Sequence, residues 1–482
     1  MTPKADILFQ VVKKFTEIDL SDMDTMQMGY VFEDLIRRFA EQSNETAGEH
    51  FTPREVIKLM VNVLFNEDNQ SLTQAGIVKT LYDPACGTGG MLSIGEQHLT
   101  EFNPNAKLEV FGQEINPESY AICKSDMLIK GQNPSNIKFG NTFTIDGLRE
   151  EKFDYMLSNP PFGVDWKKAR NIIKDEHDST GFAGRFGAGL PRINDGSLLF
   201  LQHMISKMKI SEDGGSRIGI VFNGSPLFTG QAGNGESNIR QWIIENDWLE
   251  AIIALPDQLF YNTGISTYIW ILNNHKAKQR KGKIQLINAT GVKDVELIKE
   301  GKRDFNRFWE KMPRSLGNKR KQIPDQSNNN GGEDKGIGFI TKLYGDFEEN
   351  EFVKILPNEF FGYWRITVEQ PQTGEEGNII TQKSEKLKPD TKLRDYENIP
   401  FLQKERSGNL IPQTIEEYFE REVKPHLPKA FIDEKKTKTG YEINFTKYFY
   451  EFKPLRPLAQ IKADILALKE SSLALEKTVL ED

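Results

Sequence analysis

The sequence predicts an α/β fold, a doubly wound and mostly parallel sheet with an N-terminal helical region before it and a helical tail after it. Three observations predict this. From about residue 78, apolar strand-like runs alternate with stretches of helical period. The first of these strands runs into a glycine-rich turn, "YDPACGTGGML". A later one, "DYMLSNPPFG", stops on two prolines, which cannot donate to a sheet ladder and which restrict the residue before them.

In chain order, residues 1–75 read as helical. "MGYVFEDLIRRFAEQ" carries apolar residues at helical spacing, and "HFTPREVIKLMVNVLF" predicts a helix starting just after Phe51. There Thr52 is the expected N-cap, Pro53 the first helical residue and Glu55 the partner in a capping box. Residues 76–335 hold the strands "KTLYDPA", "LEVFGQEI", "NIKFGNTF", "FDYMLSNPP", "SRIGIVFN", "WLEAIIALP" and "STYIWILNN", with helices such as "PESYAICKSDMLIKG" and "GSLLFLQHMISKMK" between them. The stretch from Gly163 to Asp195 reads as a long loop, and a loop that long is usually functional or disordered. "NNNGGEDKG" (Asn328 to Gly336) marks a linker, and residues 336–455 form a smaller mixed region. The tail, 456–482, carries Leu458, Ile461, Ile465, Leu468, Ser472, Leu475 and Val479 three and four apart, a heptad seam with one polar position. Such a helix packs on its own chain or on a partner. The seam favours a partner.

Composition narrows the function. The 482 residues are 38% hydrophobic and 27% charged, a globular balance with no apolar run long enough to span a membrane. The first residues lack signal-peptide architecture, and the only cysteines, Cys86 and Cys123, fit a reducing cytoplasm. The six histidines fall into no metal-ligand spacing, so no metal is expected. The net charge of −8 argues against strong stand-alone grip on nucleic acid. Two basic runs, Lys276 to Lys283 and Lys311 to Lys321, are either solvated loops or nucleic-acid contacts.

The chemistry gathers at the expected carboxyl edge of the sheet, where doubly wound folds bind ligands. Gly87, Gly89 and Gly90 clear side chains from the turn after the first strand. Leu92 stands where a dinucleotide fingerprint needs glycine, and the Gly-Lys-Ser/Thr of a phosphate loop is absent. Glu114 closes the second strand, 27 residues after Gly87, where a carboxylate can accept from both ribose hydroxyls. An adenosine-containing ligand without a pyrophosphate satisfies both features, and S-adenosyl-L-methionine is such a ligand. The fourth strand delivers Asn159 to the same edge. The Asn159 side-chain oxygen and the Pro160 carbonyl, held by the fixed φ angles of Pro160 and Pro161, can accept both hydrogens of an exocyclic amine. Phe162 offers a face for the base. That arrangement orients the amine for in-line attack on a sulfonium methyl. A base within a duplex must be flipped out to reach it.

"HFTPREV", "DPACGTGGML", "GQEINP", "GNTF" and "LSNPPFG" occur in the order found in amino-group DNA methyltransferases. The chain resembles the modification (methyltransferase) subunit of type I restriction–modification systems, through "ALPDQLFYNTGISTYIWIL", "FFGYWRITVEQP", "EEYFEREVKPHLPKAFID" and "GYEINFTKYFY" as well. The resemblance implies a Rossmann-like class I methyltransferase sheet and methylation of adenine N6 in DNA. It implies that Phe51, Thr52, Pro53 and Arg54 cover the methionine end of the cofactor. Asp83, Gly87, Thr88, Gly89 and Gly90 would line the cofactor, with Glu114 on the ribose, and Asn159, Pro160, Pro161 and Phe162 would hold the adenine. It also implies two such subunits around one DNA-specificity subunit, reached through the C-terminal helix, with a restriction nuclease subunit as a further neighbour in such systems. Two departures stand out. The helical N-terminal region starts later than in many relatives, and "GNTF" puts Asn141 where an acidic residue often meets the cofactor adenine. Rival readings are a methyltransferase acting on RNA or a protein amide, a scaffold without turnover, and a nicotinamide oxidoreductase, the last disfavoured by Leu92.

Overall fold

The structure, a computed structural model, describes residues 9–10, 13–14, 52–66, 68, 72–74, 76–261, 263–291, 307–325, 335–374, 378–381, 387–405, 407–450 and 457–481. Most of the expected N-terminal helical region, including Phe51, and most of the expected linker lie outside these residues. Helix α1 (Arg54–Asn66) opens the described fold, followed by β1 (Val78–Asp83), α2 (Gly90–Phe102), β2 (Lys107–Glu114), α3 (Pro117–Ile129), β3 (Ile137–Phe139) and β4 (Tyr155–Ser158). Next come α4 (Arg170–Thr180), α5 (Ser197–Ser206), β5 (Arg217–Phe222), α6 (Gly235–Glu245), β6 (Leu249–Ala254), β7 (Tyr268–Asn273) and β8 (Lys283–Asn288). A hairpin of β9 (Glu310–Leu316) and β10 (Lys319–Gln322) precedes α7 (Gly336–Asp346) and β11 (Val353–Pro357).

All seven strands read from the sequence form, and they join β8 and β11 in one sheet of order β11-β8-β6-β7-β5-β4-β1-β2-β3. Strands β3, β2, β1, β4 and β5 run parallel, whereas β7 lies antiparallel between β5 and β6. Strand order reverses between β1 and β4, whose carboxyl ends lie side by side. The central strands β4, β5, β6 and β7 are buried along their whole length, as strands covered on both faces must be. Their runs of Ile, Val and Leu follow from that.

The sheet takes its last edge strand from beyond residue 335. Strand β11 pairs antiparallel with β8, and α7 packs on α1 and β8. Beyond it, β12 (Gly362–Glu369) and β13 (Asp395–Pro400) form a smaller antiparallel sheet with Phe431–Ile432 and Lys438–Tyr441. Residues 1–444 form one compact unit and 445–482 another. In the second, α8 (Leu458–Glu481) is one long helix, with Leu458 83% and Leu468 71% exposed. The side chains of Leu475 and Val479 lie outside the described part.

The stretch from Gly163 to Asp195 is folded, contrary to the sequence expectation of a long loop. It contains α4 and carries its own apolar core, in which Trp166, Ile173 and Phe186 pack with Phe143 and Leu199. Glycines and charges mask that core in the sequence. Arg185 anchors the stretch, donating to the Thr142 and Phe143 carbonyls at 2.9 Å each and pairing with Glu176 at 2.6 Å.

Two of the five basic residues in the run from Lys276 to Lys283 are buried, Lys276 and Arg280, and the other three are exposed. The buried Lys276 ammonium pairs with Asp247 at 2.7 Å. Arg280 is fully buried, its guanidinium 4.3 Å from the Tyr344 ring centre, and it donates to Gln285 Oε1 and the Tyr344 carbonyl. Arg280→Ala should therefore destabilise the fold by about 3 kcal/mol or more, as loss of a buried charged partner does. Lys281→Ala, on an exposed side chain of the same run, should stay within about 0.5 kcal/mol. Urea unfolding of both variants checks this; equal, small effects would mean a solvated loop.

Candidate active site

The site is built where β1 and β4 end. Strand β1 delivers Asp83, whose Oδ1 accepts from the Ala85 amide at 2.9 Å and from Ser158 Oγ, the last residue of β4, at 2.8 Å. This pair ties the two strand tips together. Asp83 is buried, and burial pushes its carboxyl up to about 7 against the favourable bonds from Ala85 and Ser158. After β1 the chain turns through Gly87 at φ +54° and Gly89 at φ +89°, the left-handed region that favours glycine. Gly89 has a second reason: a Cβ there would stand 2.8 Å from Cys123 Sγ on α3. The turn opens directly into α2, so the first amides of that helix face the carboxyl edge.

An open cleft lies over this turn. Thr52, Arg54 and Ile57 from the start of α1 wall it on one side; Asp83, Cys86, Gly87, Thr88 and Gly90 form its base. Asn159 closes it at the β4 tip. Asn159 Nδ2 donates to Thr52 Oγ1 at 2.9 Å, which joins the head of α1 to the Asn-Pro-Pro-Phe segment. Thr52 thus receives the Asn159 amide, and Glu55 pairs with Lys319 in the β9–β10 hairpin, in place of the capping box expected between them. Asn159 is 8% exposed and its Oδ1 has no hydrogen-bond partner among the described residues, an acceptor buried without a donor there. Pro160 is buried beside it, Pro161 is half-buried, and the half-buried Phe162 ring packs on the main core, edge-on to Phe260 at 6.5 Å.

Seven of the residues singled out from the sequence therefore line the cleft: Thr52, Arg54, Asp83, Gly87, Thr88, Gly90 and Asn159. Others act one step back. Pro53 is buried at the head of α1, and its carbonyl accepts the first amides of the helix. Glu114 does not line the cleft; its two carboxylate oxygens accept from the Gly87 and Asn116 amides at 2.8 and 2.7 Å, which fixes the glycine turn against the end of β2. Each oxygen keeps a second lone pair. Asn141 lies outside the cleft lining too, its side chain capping its own turn through the Phe143 amide at 2.9 Å. Its neighbour Thr142 donates to the Pro84 carbonyl at 2.6 Å, linking that turn to the one after β1. Phe51 lies outside the described residues. The cleft also takes in Ile57, Cys86, Met91, Ser93, Ile94 and Asp126, which sequence reasoning did not mark. Ser93 and Ile94 follow from one further turn of α2; Asp126 has no local signal, since only the packing of α3 on the glycine turn brings it there.

A family model for the N-6 DNA methylases matches residues 23–321. The chain belongs to the N-6 DNA methylase family. Within reach of it are type I restriction enzyme methylase subunits. The MjaVII subunit of Methanocaldococcus jannaschii is 30% identical over 287 residues, covering 59% of this chain and 46% of that protein. The HindI subunit of Haemophilus influenzae is 31% identical over 267 residues, covering 55% and 54%. The chain spans about half the length of the curated relatives it matches. Among solved structures, the type I restriction–modification methyltransferase subunit from Streptococcus thermophilus is similar at a TM-score of 0.55 and 25% identity, covering 73% of this chain and 64% of that one. A modification subunit of a putative type I restriction enzyme from Vibrio vulnificus shares the fold at a TM-score of 0.51 and 19% identity, covering 77% and 66%. The doubly wound sheet expected from the sequence is thus the sheet of this member of the N-6 DNA methylase family.

The raised Asp83 carboxyl has a pH consequence. In the folded chain it stays protonated up to about 7, whereas unfolded it ionises near 3.8. The folded state therefore holds a proton that the unfolded state has lost between those values, and stability falls as pH rises through that window. Asp83→Asn keeps the acceptor oxygen and removes the titration. From pH 5 to 7 the parent should lose stability relative to Asp83→Asn, by at most roughly 1.4 kcal/mol per pH unit, and the difference should level off above about pH 7.5. Urea midpoints at four pH values measure it; parallel curves for the two proteins would contradict the assignment.

Proposed function

We propose that this chain transfers a methyl group from S-adenosyl-L-methionine to N6 of adenine in DNA, as the modification subunit of a type I restriction–modification complex. The observation that carries this reading is the orphaned, buried Oδ1 of Asn159 beside the Pro160 carbonyl, at the rim of the cleft over the glycine turn. An adenine amine donates one hydrogen to each of these acceptors. Its nitrogen lone pair then points toward the cleft, where the sulfonium methyl is presented, and the leaving thioether departs along the same line. Fixed dipoles do the work, with no strong base, because the amine loses its proton after the new C–N bond forms. Phe162 stacks on the flipped base, whose extrusion costs roughly a few kcal/mol. Arg54 and Thr52 hold the methionine end of the cofactor, the glycine turn carries its middle, and Glu114 accepts from the ribose with the lone pairs left over from Gly87 and Asn116.

Family membership supports the reaction, and the names of the relatives support the assembly. The net charge of −8 fits a subunit that leaves sequence reading to a DNA-specificity subunit. The exposed Leu458, Ile465 and Leu468 of α8 dock on that subunit, and a second copy of this chain completes a two-to-one complex in the cytoplasm.

Asn159→Ala should leave S-adenosylmethionine affinity within a few-fold and lower methyl transfer by roughly 3–4 kcal/mol of barrier, about a hundredfold or more. Single-turnover transfer of labelled methyl to duplex DNA, with the specificity subunit present, measures it. Turnover within a few-fold of the parent would remove the clamp role. Deleting residues 456–482 should leave cofactor affinity unchanged and abolish co-purification of the specificity subunit, since each buried Leu or Ile contributes roughly 1.5–3 kcal/mol. Undiminished co-purification would assign α8 to this chain alone.

A further inference from the structure

Behind the glycine turn the cleft ends on a polar group that the methyl-transfer reading does not use. Asp126, on α3, lines the cleft together with Ser93 of α2 and is only 5% exposed. Its two oxygens differ. Oδ2 accepts from Ser93 Oγ at 2.6 Å and from the Lys130 ammonium at 2.9 Å, which staples α3 to α2. Oδ1 is buried and has no hydrogen-bond partner among the described residues. A staple needs one oxygen; a carboxylate that keeps the other unmatched at a cleft wall is poised for a donor. The cleft also presents a cation, Arg54, from the opposite helix. A wall offering a guanidinium and a carboxylate matches the zwitterion of an α-amino acid, whose carboxylate and ammonium require partners of opposite sign.

We infer that Asp126 Oδ1 receives the α-ammonium of the methionine moiety of S-adenosylmethionine, so that α3 belongs to the cofactor site. The inference rests on the cofactor named above. It gives α3 a role in ligand recognition that its place outside the glycine turn conceals, and it makes the amino-acid end of the cofactor the part that α3 reads.

Calorimetric titration of the full chain separates this from a structural staple. The ligands are S-adenosylmethionine and 5′-methylthioadenosine, which keeps the adenosine and lacks the amino-acid end; the variants are Asp126→Asn and Lys130→Met. Asp126→Asn should weaken S-adenosylmethionine about tenfold or more, the usual worth of a charged hydrogen bond, and change 5′-methylthioadenosine less than about twofold. Lys130→Met, which removes only the ammonium bond to Oδ2 and alters a side chain outside the cleft lining, should lower the melting temperature and keep S-adenosylmethionine affinity within about threefold. Equal losses for both ligands in Asp126→Asn, or undiminished S-adenosylmethionine affinity, would overturn the assignment while leaving the cofactor itself in place. A parent chain that binds no S-adenosylmethionine would instead overturn the reading on which the inference rests.

Discussion

Everything at this site depends on two strands that are distant in sequence ending side by side. Strands β1 and β4 are neighbours in the sheet because the chain, having placed β2 and β3 on one side of β1, crosses to the other. The crossing leaves a crevice above the two tips, since the connections leave in opposite directions. The hydrogen bond between Asp83 and Ser158 fixes the tips against each other at 2.8 Å. One strand then carries the turn that accommodates a small ligand, and the other carries the amide and prolines that can grip an amine. On the proposed reading, donor and acceptor chemistry meet because sheet topology brings these two tips together.

The elements around that crevice are tied together by polar contacts rather than left to pack loosely. Helix α1 reaches the β4 tip through the Thr52–Asn159 bond and the β9–β10 hairpin through Glu55 and Lys319. The turn after β3 reaches the turn after β1 through Thr142, and Arg185 binds the carbonyls of that same turn from the folded stretch after Phe162. Such a site is preorganised: its dipoles are placed before the ligand arrives, which is what catalysis by orientation requires.

What the sequence revealed was what is local. Asn-Pro-Pro-Phe, the glycine turn and the Thr-Pro at the head of α1 each announce their geometry through restricted or permissive φ angles, and seven of the residues marked there line the cleft. Periodicity located seven strands of the main sheet. It did not mark β8, which starts within the basic run, or β11, which lies past the glycine-rich segment. Charge misled where tertiary packing overrode it: the Arg280 guanidinium stacks inside the protein on Tyr344, and nothing in its neighbours' identities signals that. Glu114 was legible as a special position, but its nearest task is to hold Gly87, a contact across 27 residues that only the fold specifies. Asp126 was illegible for the same reason.

The central claim is that methyl donor and amine acceptor share this one edge of the sheet. It is tested most directly by a high-resolution structure of the chain, with its specificity partner, bound to S-adenosylmethionine analogue and adenine-containing duplex. The account predicts a flipped adenine with N6 donating to Asn159 Oδ1 and the Pro160 carbonyl, about 3–3.5 Å from the transferable carbon and in line with its bond to sulfur. A cofactor bound away from the Asp83–Gly90 turn, or an adenine held by other residues, would contradict it.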